Sequence, residues 1–337
     1  MKKTLIFLLV AVLTLVGCSS EKQNEGDKGK TTKGGKITMV WLPNESAQDS
    51  KESRDAIGKH IKDITGLEVE HKLTTDYNIA IEAISNGEAD IGYLGGESYI
   101  KAHSINEKVV PLVVGSGPSG TIKDAMYYSW FVVKDSNSDQ YKDGEKYSIK
   151  NIKDKKMSFV SQSSTSGFAV PSKKIMEIFP EVKKEELLKK GAFFSEVLFG
   201  QSHQGSLVNL LSGKSDVSAI CDTCVISYIE QVSGEHNVPG AVYEVKKGAK
   251  APFDKLAGEK FTVIEANAVL NEPIAVNKDK VNDETIKALI KAFTSEQMNN
   301  DEKIWAPEGV KSNAILEKEG DSKFVTTDDA WYDLMRK

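Results

Sequence analysis

Asn86-Gly87-Glu88-Ala89-Asp90-Ile91-Gly92-Tyr93-Leu94 decides the fold when it is set beside Ser212-Gly213-Lys214-Ser215-Asp216-Val217-Ser218-Ala219-Ile220. In each stretch a short apolar helix runs into a glycine, which suits the left-handed residue that closes a helix, and an aspartate then opens a buried strand. One copy lies in each half of the chain. Helix–glycine–strand junctions are common in α/β proteins, so this echo suggests two similar lobes without deciding it.

Outward from these units, strands and helices alternate. Residues 37–42 form an apolar run that predicts a buried strand. Ile57, Ile61 and Ile64 share one helical face over residues 53–65, and Val69, His71 and Leu73 alternate as in a half-buried strand. A short helix over 78–85 and strands at 90–94 and 109–114 follow. Residues 126–133 read as one long strand and 134–150 as a polar surface excursion. A second series then begins, with a strand at 157–160, helices at 166–179 and 205–211, and a strand at 216–221. Residues 272–277 read as a late strand, with helices running from there to the C-terminus. Strands separated by helices predict a mostly parallel α/β sheet. Two similar lobes require the chain to cross between them. The expected crossing strands are 128–134 and 261–276, which would form a hinge with the ligand between the lobes.

The beginning of the chain predicts export. Lys2 and Lys3 precede an apolar stretch at 5–16, too short to span a bilayer but suited to a secretory signal. Leu15-Val16-Gly17-Cys18 then has the pattern of a bacterial lipoprotein signal, cut before a cysteine that carries the lipid. Residues 19–35 lack apolar groups to bury and read as a flexible tether. The expected organisation is a signal peptide at 1–17, lipidated Cys18 and tether at 18–35, one lobe from 36–130 plus 265–337, and a second from 131–264. The net charge is -5 with both signs interleaved. The absence of a basic stripe argues against nucleic acid as a partner.

The site chemistry is densest in Val160-Ser161-Gln162-Ser163-Ser164-Thr165-Ser166-Gly167-Phe168. This segment leaves a strand and opens a helix, where unpaired N–H groups and a partial positive charge favour an anion. Ser164, Thr165 and Ser166 add hydroxyls, and Gly167 permits close backbone approach. A serine-rich N-cap explains the same residues equally well. His203 opens the next helix, where its Nε2 could donate to an oxyanion. Asp222 closes a strand at the end that faces the crevice in open α/β sheets, or caps the helix after it. Thr74-Thr75-Asp76-Tyr77 and the segment from Tyr93 to Tyr99 occupy corresponding junctions in the first half. Tyrosines there offer donors and exclude water.

Asp76-Tyr77, the Gly-Glu-Ala-Asp-Ile-Gly-Tyr-Leu-Gly stretch at 87–95, Ser164-Thr165-Ser166-Gly167, Ser202-His203 and Asp222 occur in an order that resembles the phosphate/phosphite/phosphonate substrate-binding proteins of ABC importers, the PhnD-like family. The resemblance covers nearly the whole chain after the tether. It implies a bilobal type II periplasmic-binding-protein fold, with two mixed-sheet lobes joined by a two-strand hinge. It also implies that Ser164, Thr165, Ser166 and His203 grip a small phosphorus oxyanion, that Tyr77 and Tyr93 complete the site, and that Asp222 meets the ligand or its substituent. The expected partners are an ABC permease and ATPase, with the chain a monomer held at the outer face of the membrane. No catalysis, cofactor or metal is expected. Where such proteins often have proline after Leu-Gly, this chain has Gly96-Glu97, a carboxylate beside an anion site, and this leaves an amino-bearing phosphonate open as the ligand.

Cys221-Asp222-Thr223-Cys224 could be a redox dithiol or half of a metal site. No tryptophan precedes it and no lysine follows it, as a redox motif would have, and no second CxxC or histidine pair accompanies it. A structural disulfide or free thiols fits better. His60, His71, His103 and His236 read as solvated or capping residues. Ser164, His203 and Asp222 could imitate a hydrolytic triad, but Gly-x-Ser-x-Gly is absent. A same-fold receptor for sulfonate, sulfate or a thiamine precursor is the competing binding function, and an exported hydrolase or thiol oxidoreductase the competing enzymatic one.

Overall fold

The computed structural model of the chain describes residues 35–44, 50–308 and 313–336. Cys18, the signal peptide and the tether up to residue 34 lie outside the described residues. Two mixed sheets carry the fold. The first contains β1 (Lys36–Trp41), β2 (Glu68–Leu73), β3 (Ile91–Tyr93), β4 (Val109–Gly115), β14 (Pro273–Asn277) and β17 (Phe324–Thr326), in the order β17-β4-β14-β3-β1-β2. The second contains β5 (Met126–Lys134), β8 (Lys156–Phe159), β9 (Glu196–Phe199), β10 (Val217–Cys221), β11 (Ile229–Ser233), β12 (Val242–Val245) and β13 (Lys260–Leu270), in the order β11-β12-β13-β5-β10-β8-β9. Two small ladders stand apart, β6 (Lys142–Asp143) with β7 (Lys146–Tyr147) and β15 (Trp305–Pro307) with β16 (Leu316–Lys318). Helices α1 (Lys51–Thr65), α2 (Tyr77–Ser85), α3 (Gly96–Ile105), α6 (Asp283–Phe293), α7 (Glu296–Asn299) and α8 (Asp333–Arg336) belong with the first sheet. Helices α4 (Val170–Ile178) and α5 (His203–Leu211) belong with the second.

The strand residues explain the layering. In β1, Ile37, Met39 and Trp41 pack with Ile57 and Ile61 of α1 and Phe293 of α6. Val40 joins Ala80 and Ile84 of α2 on the opposite face. In β5, Trp130 and Val132 face one core cluster, while Phe131 and Val133 face another. A strand buried on both faces needs apolar residues at both parities, so it shows no alternation in sequence.

Both sheets are mixed, as the family resemblance implied, and less parallel than the strand–helix alternation alone suggested. Only β1–β2, β1–β3, β8–β10 and β8–β9 pair in parallel, and the remaining ladders of the two sheets are antiparallel. The chain enters β5 and β14 from the opposite sheet, so each of these strands runs against its neighbours. β5 and β13 stay paired along their length, from Met126↔Leu270 to Lys134↔Phe261. The passages between sheets are the residues before β5 and after β13, and Asn271 ties them together. Its Nδ2 donates to the Gly115 carbonyl at 2.7 Å and its backbone N–H to Ala125 at 3.0 Å. The C-terminal region differs from the expected helices. After α7 the chain makes β15, β16 and β17 before a last short helix, and Phe324 of β17 packs into the first core.

The repeated sequence unit is a repeated structural unit. Gly87 has φ 80° and Gly213 φ 75°, both left-handed. Asp90 donates its backbone N–H to Thr38 at 2.9 Å and accepts the Thr38 N–H on Oδ2 at 2.8 Å. Asp216 makes the same double bond with Lys156, at 2.9 Å in each direction. Each aspartate thus joins the start of one strand to the start of its parallel neighbour. Asp90→Ala and Asp216→Ala should each lower stability by about 1–3 kcal/mol in urea unfolding, because each leaves a backbone donor without its acceptor. Losses under 0.3 kcal/mol in both would contradict this role.

Candidate functional site

The C-terminal ends of the central strands of the two sheets face each other, and a helix begins beyond each one. β1 ends into Asn44, β2 into Asp76 and α2, and β3 into Gly95 and α3. In the second sheet, β8 runs into Ser164 and a π-turn at Thr165–Ala169 that continues as α4. There β9 leads to Ser202 and α5, and β10 ends at Cys221 before Asp222. The N-termini of α2 and α3 therefore meet those of α4 and α5 between the sheets.

Several hydrogen bonds join the two sides. The Glu97 N–H donates to Thr165 Oγ1 at 2.9 Å, and Ser98 Oγ to the Ser163 carbonyl at 2.8 Å. Lys101 Nζ donates to the Gln162 carbonyl at 2.7 Å, and Ser163 Oγ to Asn78 Oδ1 at 2.7 Å. Gly95 is required at this contact, since a Cβ there would lie 2.8 Å from Thr165 Oγ1. Glu97 turns its carboxylate to Lys101 at 3.4 Å and brings only its backbone N–H to the site. The residue that looked adverse to an anion thus contributes a donor, and its charge is paired along the helix.

The sequence-predicted residues assemble unevenly around this contact. Ser164, Thr165 and Ser166 are buried, and Ser164 Oγ caps the turn by accepting the Gly167 N–H at 3.1 Å. A Cβ on Gly167 would fall 2.3 Å from Val160, so the turn can be this tight only with glycine. His203 is buried at the start of α5. Its Nδ1 accepts the Cys221 N–H at 2.9 Å, which leaves Nε2 to carry the proton and donate. Burial lowers its pKa to about 3, so the ring works as a neutral donor. The tight crossing of Gly200 over Gly205 holds this helix start, because a Cβ on either would meet backbone within 2.2 Å. Tyr77 is buried and gives its hydroxyl proton to Asn44 Oδ1 at 2.6 Å, so donation to an anion would require that bond to be exchanged. Tyr93 is half-buried, edge-on to Trp41 with ring centroids 5.7 Å apart.

Three residues at the contact escaped the sequence analysis. Asn44 Nδ2 donates to Glu272 Oε1 at 2.9 Å, which places a carboxylate at the crossing between β13 and β14. Tyr127 is buried, with its hydroxyl beside Ser166. Burial first, and then the Glu272 carboxylate, raise its pKa well above the usual range, while the nearby Ser166 hydroxyl works in the opposite direction. Both Tyr127 and Glu272 lay inside segments that read simply as strands. Their position next to the predicted crossings was the available signal.

Cys221 and Cys224 form a disulfide, so the CxxC motif is structural in this state. His203 lies beside the pair, and the three make a group of potential metal ligands among the described residues, but the disulfide removes both thiolates. Gln204 Nε2 donates to the Cys224 carbonyl at 2.8 Å and fixes the loop against α5. The other histidines are less solvated than expected. His60 meets Asp301 at 2.8 Å, His71 Nδ1 accepts from Trp41 Nε1 at 3.1 Å, and His236 Nδ1 meets the Tyr243 hydroxyl at 2.8 Å.

Asp222, between the cysteines, is buried. Burial raises its pKa to about 6, against the bonds it accepts from the backbone of Tyr128 and Thr223 and the side chain of Asn237. A carboxyl with a folded pKa above its unfolded value of 3.8 favours the native state while protonated, and that contribution is lost as pH rises through about 6. Asp222→Asn should therefore be more stable than the parent at pH 8, by on the order of 1–3 kcal/mol, with the gain vanishing at pH 4. A parent chain more stable than Asp222→Asn at pH 8 would contradict this.

The sequence family described as ABC transporter, phosphonate, periplasmic substrate-binding protein matches residues 39–332. The phosphate-import protein PhnD of Mycolicibacterium smegmatis is 27% identical over 197 residues, which span 56% of this chain and 56% of that protein. The chain thus matches little more than half the length of this curated relative. A binding protein component of an ABC phosphonate transporter from Pseudomonas aeruginosa shares the fold with a TM-score of 0.63 at 18% identity, covering 89% of this chain and 84% of that one. PhnD1 of Prochlorococcus marinus, solved in complex with methylphosphonate, shares it with a TM-score of 0.62 at 13% identity, over 89% and 95%. The fold is that of type II periplasmic binding proteins, and the chain belongs to the family of periplasmic substrate-binding proteins of phosphonate ABC transporters, which are transport components and not enzymes.

Proposed function

We propose that the chain is the lipid-anchored receptor of an ABC importer and captures a small phosphorus oxyanion, a phosphonate, phosphite or phosphate, as two lobes close on it. The observation that carries this reading is the meeting of helix N-termini from both sheets, those of α2 and α3 with those of α4 and α5. Each contributes N–H groups without partners in its own helix and the positive end of a dipole. An anion placed among them receives donors from both sides, and its binding favours the closed arrangement. Ser164, Thr165 and Ser166 supply hydroxyl and backbone donors, His203 supplies Nε2–H, and Tyr127 supplies a buried hydroxyl beside Ser166. Tyr77 and Tyr93 close the first-lobe side, and Asp222 meets a protonated oxygen or a substituent.

The lobes of this reading comprise residues 36–130 plus 265–337 and residues 131–264, moving about the paired passages that Asn271 joins. The receptor acts as a monomer that delivers ligand to a permease and ATPase. Cys18 is the anchor, following Leu15-Val16-Gly17. No helix among the described residues is long and apolar enough to cross a membrane.

Calorimetry should show 1:1 binding of at least one of phosphite, phosphate, methylphosphonate and 2-aminoethylphosphonate, without turnover. Thr165→Ala and His203→Ala should each weaken that binding at least tenfold, about 1.4 kcal/mol. Binding of only sulfate, taurine or a thiamine precursor would replace the ligand class, and near-parental affinity in both variants would overturn the site. Expressed in a bacterial host, the parent should remain in the membrane fraction and Cys18→Ala should leave it. Equal membrane retention of both would refute the anchor.

A further inference from the structure

Cys221-Asp222-Thr223-Cys224 lies where β10 ends against the start of α5. In sequence the motif has no histidine pair near it, but the fold brings His203, 18 positions before Cys221, into contact with it. A ring nitrogen of His203 and the sulfurs of Cys221 and Cys224 lie within 4.8 Å of one another, and all three residues are buried. Cys224 also lines a cavity of about 790 Å³ between the two sheets, together with Tyr127, Asp222 and Glu272, so the sulfur pair can be approached from that side.

The geometry suits a metal ion once the sulfurs are separate. The Cα atoms of the two cysteines are 5.5 Å apart, and a two-residue spacing is the usual one for two thiolates on one ion. A tetrahedral zinc with sulfur at about 2.3 Å and nitrogen at about 2.0 Å sets its ligands roughly 3.5 Å apart, within the spread of this group. Cys221 Sγ already accepts the Cys224 N–H at 3.0 Å and faces the Thr223 hydroxyl at 3.6 Å. Such donors stabilise a thiolate and hold a sulfur ligand in orientation. Burial keeps the His203 ring neutral. The lone pair of its Nδ1, which now accepts the Cys221 N–H at 2.9 Å, is therefore available without loss of a proton. The bond from Gln204 Nε2 to the Cys224 carbonyl at 2.8 Å does not involve sulfur, so it still ties the loop to α5 when the disulfide is open.

We propose that the chain, once Cys221 and Cys224 are reduced, holds a thiophilic divalent cation such as Zn²⁺ through the two thiolates and the His203 ring, with a fourth position open toward the cavity. The site does not depend on the oxyanion reading. A small dithiol supplies the two electrons. One of its thiolates attacks Cys224 Sγ from the cavity, the S–S bond breaks, and the electron pair leaves on Cys221 Sγ. The second thiol of the reductant then attacks the mixed disulfide, closes its own disulfide and frees Cys224. The two protons of the dithiol pass to the cysteines, and metal binding releases them to solvent. Two thiolates and a divalent cation sum to zero charge, which suits a buried position. Sulfur and imidazole ligands favour Zn²⁺ or Co²⁺ over Mg²⁺ and Ca²⁺, which prefer oxygen.

The test uses the full chain carrying Cys18→Ala, in which Cys221 and Cys224 are the only cysteines. After reduction with dithiothreitol and its removal without air, Co²⁺ should bind one per chain and give a thiolate-to-cobalt charge-transfer band that Zn²⁺ abolishes. The oxidised chain should give no band, and Mg²⁺ and Ca²⁺ should not compete. Cys221→Ser, Cys224→Ser and His203→Ala should each weaken Co²⁺ binding at least tenfold, about 1.4 kcal/mol. Excess Zn²⁺ should raise the melting temperature of the reduced chain and leave that of the oxidised chain unchanged, a readout that needs no further variant. A reduced chain with two titratable thiols but no band and no shift in melting temperature would overturn the inference. Equal Co²⁺ binding by the oxidised chain, or full affinity in His203→Ala, would overturn it as well. None of these results bears on whether the oxidised chain binds a phosphorus oxyanion.

Discussion

The hydrogen bond from the Glu97 amide to the Thr165 hydroxyl is the contact on which the rest of the site depends. It joins the first turn of α3 to the turn that opens α4, so it places two positive helix ends face to face. Like ends at that distance are unfavourable unless negative charge or hydroxyl lone pairs lie between them. The serine- and threonine-rich turn supplies the lone pairs, and an anion would supply more. Gly95 is what permits the approach, because any side chain there would press on Thr165. An attraction for anions and a tendency of the halves to close are thus one property of this geometry.

Charge is distributed asymmetrically around that contact. On the helix side, Glu97 is neutralised by Lys101 and His203 is held neutral by burial, so the field there comes from backbone donors. Toward the crossings, Asp222 and Glu272 are negative groups with limited access to water. The disulfide and Gln204 hold the loop that carries Asp222, and Asn44 holds Glu272. These carboxylates are positioned by covalent and hydrogen-bonded constraints rather than by flexible surface chains, which suits recognition of a ligand with a fixed orientation.

Both sheets are built on the same aspartate device. Asp90 and Asp216 each bridge the start of one parallel strand to the start of the next, after a glycine that only a left-handed residue can replace. Because the device sits at the strand N-termini, the opposite ends of those strands are left to carry loops and helix starts. Pairing two such units through crossings that Asn271 ties together turns those loop-bearing ends toward each other.

The sequence alone determined the alternation of strands and helices, the two repeated units, and helix starts within two residues of those observed at Tyr77, Thr165 and His203. These are local matters of periodicity, capping and glycine conformation, which neighbouring residues specify. The tertiary structure alone decided the order and register of the strands, the short strands that replace the expected C-terminal helices, and the disulfide state of Cys221 and Cys224. It also decided that Glu97 turns toward Lys101, and that Asn44, Tyr127 and Glu272 join the site. Tyr127 and Glu272 are 145 positions apart in sequence yet line the same cavity. Such a pair has no periodicity or motif to betray it. Its meeting follows from where two crossings run side by side, and that is a property of the packed chain and not of any segment within it.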